Sequence, residues 1–131
     1  MYIKIYLIAF IVFLIIDAIW LGLIAKDMYQ KGIGHLMAAN PNFVAAAIFY
    51  LMFLAGLVYF VIAPGVEANN IGQVIIAGAL FGAITYGTYD LTNLATLKSW
   101  PLNITIIDII WGTFLATFVS TVTFYLYMLF N

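Results

Sequence analysis

Three aspartates stand inside apolar runs of this chain: Asp17 in IIDAIW (15–20), Asp90 in TYGTYDLTNLAT (85–96) and Asp108 in IIDIIW (106–111). A carboxylate near the centre of a membrane helix costs about 2.5–3.5 kcal/mol to insert. A hydrogen bond between membrane helices contributes only ~0.6 kcal/mol, so a purely structural role does not offset that cost. Carboxyls in such a medium can hold a proton, pair with a cation, or accept hydrogen bonds from a polar head group. Three of them together cannot all stay ionised, and at least one must be protonated or matched by a cation.

The polar groups around Asp90 follow helical spacing. Tyr86, Asp90 and Asn93 lie at i, i+4 and i+7, with Thr85, Tyr89, Thr92 and Thr96 on an adjoining strip. Asp17 and Trp20 share a face at i, i+3, as do Asp108 and Trp111. The two helices that carry this repeated Asp-x-x-Trp run in opposite directions. Trp20 is therefore expected nearer the connector surface than its aspartate, and Trp111 deeper than its own. His35 is the one imidazole and lies in a connector, either at the surface or as a proton acceptor at a pocket mouth.

No metal site is expected, because there is no HExxH, no histidine pair and no cysteine. No cofactor motif and no nucleophile triad is present either. With four basic residues and a net charge of −1, nucleic-acid binding has no basis.

Only 7% of the 131 residues are charged and 67% are hydrophobic, which makes bilayer lipid the solvent for most of the surface. A hydrocarbon core needs about 20 apolar residues per helix. The chain accordingly reads as an all-α membrane protein, a four-transmembrane-helix bundle forming one integral membrane domain over 1–131, with helices near 5–25, 43–63, 71–97 and 101–130. The first run is too long for the apolar part of an export signal and lacks a cleavage site, so it is expected to stay as a helix. Asn40-Pro41 and Pro101 fit helix starts, Pro64-Gly65 a helix end, and 26–42 a polar connector. Trp100, Tyr125 and Tyr127 suit an aromatic belt, while Gly78 and Gly82 suit close helix approach.

Lys26, Lys31 and Lys98 all fall in the first and third connectors. By the positive-inside rule those connectors face the cytoplasm and both termini lie outside it. Counted along the helices, Asp17, Asp90 and Asp108 then stand roughly 10–14 Å below one surface, close enough in level to form one site.

D17AIWLG, G34HL, Y89DLTNLAT, W100PL and D108IIWG, in that order, resemble the bacterial membrane-protein family catalogued as domain of unknown function 2177. The matching positions are Asp17, Trp20, Tyr89, Asp90, Thr92, Asn93, Thr96, Trp100, Asp108 and Trp111. The resemblance implies four spans, an inner-membrane location and a lipid-linked role, with no established activity. The residues themselves favour a cytoplasmic-side polar site that binds or acts on a lipid or amphipathic molecule. Asp17, Asp90, Asn93 and Asp108 would line it, Trp20, Trp111 and Tyr89 would supply its walls, and Tyr86 would be presented to it beside Asp90 and Asn93. Alternatives are a non-catalytic subunit of a membrane enzyme and a small proton-coupled transporter built as a homodimer. The transporter needs a polar path across the bilayer, for which only Thr113, Thr117, Ser120 and Thr121 are available. Whether the site catalyses is left open.

Overall fold

Four helices with apolar side chains on nearly every face, long enough to cross a bilayer, dominate the computed structural model, which describes residues 1–131. They are α1 (Tyr2–Ile24), α3 (Phe43–Ala68), α4 (Ile71–Thr96) and α5 (Leu102–Leu129). A short helix, α2 (Lys26–Ile33), lies in the first connector. Ile3, Leu23, Phe43, Ile76 and Leu129 are among many large apolar residues left exposed, as lipid-facing side chains should be. The protein is a four-helix membrane bundle.

Each spanning helix turns one narrow stripe inward, and on three of the four that stripe carries an aspartate in its connector half. On α1 the buried residues are Ile5, Ala9, Phe13 and Asp17, spaced by four. On α4 they include Val74, Gly78, Gly82 and Asp90, and on α5 Ile104, Asp108, Gly112, Ala116 and Ser120. Side chains four apart stack on one helix face, so the packing of the apolar part fixes where each carboxyl points.

The small residues act as the sequence suggests. A Cβ on Gly82 would strike the Gly112 carbonyl oxygen and come within 2.8 Å of the Ala116 Cβ. The absence of side chains at 82 and 112 lets α4 lie directly on the α5 backbone. Lys4 Nζ donates to Asn131 Oδ1 at 3.0 Å, which brings the two chain ends together at one end of the bundle. That end is filled by Ile5, Leu57, Val61, Ile62, Val119 and Phe124.

Three boundaries differ from the sequence reading. Pro64 does not close α3, which runs on to Ala68. A π-helical turn at Val58–Ile62 precedes the proline and widens the helix where its ring would otherwise strike a carbonyl one turn back. The stop is Asn69, in the left-handed conformation at φ 48°, and Asn70 then caps α4 by accepting from the Gln73 N–H at 3.1 Å. At the start of α3 the cap is Asn42, which accepts from the Ala45 N–H at 3.1 Å, and Pro41 lies ahead of the helix. Pro101 likewise precedes the first turn of α5 rather than sitting in it.

Candidate functional site

At the connector end the bundle is not filled. α3 packs on α4 chiefly through its distal part, residues 58–68, while residues 43–57 meet α4 sparsely. Phe53 is the last bridge, with its ring 5.5 Å from Phe81 and 6.0 Å from Tyr86 between centroids. Beyond it the helices part around a cavity of about 740 Å³. Its walls include all three aspartates with Trp20, Tyr29, Tyr50, Tyr86, Tyr89, Trp100 and Trp111.

The repeated Asp-x-x-Trp explains much of the geometry. In an antiparallel pair, an aspartate and a tryptophan three residues on must cross over, so that each aspartate is level with the other helix's tryptophan. Asp17 accordingly faces the Trp111 indole, with the Tyr50 hydroxyl beside it. On the other side, Trp20 Nε1 donates to Tyr29 Oη at 3.1 Å, and Tyr29 Oη donates to Asp108 Oδ1 at 2.6 Å. Between these levels the two indoles stack, 4.2 Å apart and 6° from parallel. The expected offset in depth between Trp20 and Trp111 is thus taken up by ring stacking. Trp20 begins a π-helical turn, Trp20–Ile24, a device that re-aims side chains and recurs at functional sites.

Asp17 and Asp108 are each 7% exposed, and Asp90 is 0% exposed. The Asp90 carboxyl lies against that of Asp108, yet neither of its oxygens accepts a hydrogen bond from any donor group. Two carboxyls in contact in a poorly hydrated site cannot both stay charged without a cation between them; otherwise one of them holds a proton.

Tyr29 comes from the connector that the sequence suggests is merely polar. Its helix, α2, folds back against the start of α5 because Gly32 has no side chain. A Cβ there would lie 2.6 Å from Ile104 Cγ1. Burial, and next the hydrogen bond to Asp108, push the Tyr29 hydroxyl well above the ordinary phenol range. It therefore remains a donor at any physiological pH.

Of the residues singled out from sequence, Asp17, Trp20, Tyr86, Tyr89, Asp90, Asp108 and Trp111 line the cavity, and Asn93 and His35 do not. Asn93 shares the angular position of Tyr86 but stands about 4.5 Å nearer the connector than Asp90. His35 is exposed on a 3₁₀ turn, Gly34–Leu36. Trp100 is not a belt residue. It is 8% exposed, donates to Thr105 Oγ1 at 3.0 Å and meets Tyr89 edge-on at 5.7 Å. Thr85, Thr88, Thr92 and Thr96 bond carbonyls of their own helix, which leaves the tyrosines as the polar side chains of α4 nearest the carboxyls.

Tyr29 and Tyr50 are the residues that sequence reasoning missed. Tyr29 had a weak signal, as the one aromatic in the charged segment KDMYQKGI. Tyr50 had none, because an aromatic in a continuous apolar run shows no periodicity.

A family model described as "Predicted membrane protein (DUF2177)" matches residues 2–125. No curated protein and no solved structure matches the chain.

Proposed function

The chain belongs to the DUF2177 family of predicted membrane proteins, and from that premise we propose that its cavity binds a lipid or other amphipathic molecule entering from the cytoplasmic leaflet. The observation that carries this reading is the cavity's mixed wall. Nine of the nineteen lining residues are aliphatic, phenylalanine or tryptophan, and the other ten are three aspartates, four tyrosines and three threonines. An apolar pocket with a few convergent polar groups is the usual form of a small-molecule site.

The opening supports the same reading. Leu21, Phe49 and Tyr89 line the cavity and are also exposed. Phe49 and Tyr89 lie about two helical turns in from their helix ends, at a depth where the surroundings are lipid rather than water. An occupant enters sideways, with its tail between α3 and α4 and its head among the aspartates. A transporter fits less well. Past Asp17 and Trp111 the interior is closed by Leu115, Ala116 and Val119, and Thr113 and Thr117 bond their own helix carbonyls.

Ala46 lines the cavity from α3, which contributes no carboxyl to its wall. Ala46→Trp is expected to fill it and reduce by several-fold any amphiphile that co-purifies with the wild-type protein, as read by lipid mass spectrometry with folding checked by circular dichroism. Wild-type protein carrying only bulk lipid in bulk proportions would remove this reading and favour an accessory subunit, to be sought as a protein partner in mild detergent.

The cytoplasmic orientation rests on Lys26, Lys31 and Lys98 at the cavity end of the bundle against Lys4 at the other. Single cysteines at positions 31 and 98 are expected to resist an impermeant label in intact cells, and one at 67 to react. Strong external labelling at 98 would place the cavity in the opposite leaflet.

A further inference from the structure

Three carboxyls line the cavity, and no lysine, arginine or histidine does. Both oxygens of Asp90, the most deeply buried of the three, lack a hydrogen-bond partner; the other buried unpartnered oxygens, Ser120 Oγ and Thr123 Oγ1, lie outside the cavity wall. A second groove, between Tyr2, Tyr6 and Tyr59, is wholly hydrophobic and offers no comparable chemistry.

We propose that the head group held in the cavity is a cation, a protonated amine carried on an apolar tail, bound at the adjoining carboxyls of Asp90 and Asp108 with Asp17 adding negative charge from across the cavity. The inference rests on the reading of the cavity as an amphiphile site and specifies the chemistry of its guest. An ammonium group supplies what both Asp90 oxygens lack: several N–H donors and the charge that lets two adjoining carboxyls ionise. An anionic head would meet three carboxyls and no countercharge.

The donor set separates an organic cation from a metal ion. No three of the acidic or imidazole groups stand close enough to share one metal ion, although all three aspartates face the same space. An alkylammonium head needs only the two adjoining carboxyls as acceptors, and its remaining N–H and C–H groups can face tyrosine oxygens and ring faces. The aromatic walls suit it too, because Trp and Tyr rings attract ammonium groups across their faces. Such an amine can be the head of a membrane aminolipid or a free lipophilic amine, and the same carboxyls would recognise either.

All three tryptophans of the chain, Trp20, Trp100 and Trp111, line this cavity, so tryptophan fluorescence reports on it alone. The test titrates the full-length protein in phosphatidylcholine nanodiscs with dodecylammonium, dodecanol and dodecyl phosphate. Dodecylammonium is expected to give a saturable change with an affinity at least ~10-fold above that of dodecanol, the scale of one hydrogen bond to a charged group. Dodecyl phosphate is expected to give none. Asp90→Asn, and independently Asp17→Asn, should abolish or reduce the preference for the amine while leaving dodecanol binding in place.

Equal binding of all three heads, or preference for the phosphate, would overturn the cation inference and leave the amphiphile site standing. No saturable response to any of them would remove both. The ranking in wild-type protein needs no variant, so a variant that fails to fold does not leave the matter open. Repeating the titration in phosphatidylethanolamine nanodiscs identifies the source of the amine. Weaker apparent binding there marks a membrane aminolipid as competitor, and unchanged binding marks a free amine.

Discussion

Gly82→Val will force α4 off α5 and lower the stability of the bundle by ~1–3 kcal/mol or more, the usual cost of overpacking a tight contact. The added atoms meet the Gly112 carbonyl oxygen and, at 2.8 Å, the Ala116 Cβ. The first of these is backbone, so relief requires moving a helix rather than turning a side chain. Gly78→Ala is the matched control, because a Cβ there meets the Ala116 carbonyl oxygen and Thr117 Cα at 3.4 Å and asks only a small adjustment. Thermal unfolding in detergent should separate the two variants clearly, and equal midpoints would refute the close α4–α5 contact. Function should follow, because α4 carries Asp90 and Tyr86 while α5 carries Asp108. Displacing one against the other breaks the convergence of carboxyls, and amphiphile retention should fall with stability.

The second large effect is expected at the hydrogen bond that ties the first connector to the bundle. Tyr29 Oη donates to Asp108 Oδ1 at 2.6 Å and accepts from Trp20 Nε1. A hydrogen bond contributes about 0.5–1.5 kcal/mol, and up to about 3 where the acceptor is charged. Tyr29→Phe should cost that order of stability and also release the indole of Trp20, which would appear as a change in tryptophan fluorescence. Asp108→Asn should weaken the same link. In a double-mutant cycle the two should be strongly non-additive, with a coupling of ~0.5–3 kcal/mol, as expected for groups in one network. Additive losses would mean that Tyr29 and Asp108 act separately.

How far the site could be read beforehand depended on the kind of signal each residue carries. The aspartates were legible because a carboxyl in an apolar run is costly and therefore conspicuous. The tryptophans were legible through their fixed spacing from two of those aspartates, and Tyr86 and Tyr89 through their place beside the third. Asn93 shows the limit of spacing alone. It shares the angular position of Tyr86, yet Thr92 beside it lines the cavity and Asn93 does not, because the cavity's outline is set by the neighbouring helices. His35 shows another, since a loop residue's position is set by how the loop folds.

Sequence alone determined that lipid is the solvent, that four helices span it, and that three of them present an aspartate towards the bundle interior at similar depth. These follow from local properties: apolar content, helical period and the cost of a charge in hydrocarbon. Only the tertiary structure decided that α3 continues through Pro64, that α2 folds back to place Tyr29 on Asp108, and that Tyr50 turns towards Asp17. It also decided that α3 and α4 part beyond Phe53 to leave a cavity there instead of packed side chains. The reason is that these features depend on how helices rotate and approach one another. That is governed by contacts between residues far apart in the chain, such as Gly82 with Gly112 and Gly32 with Ile104, which no local pattern encodes.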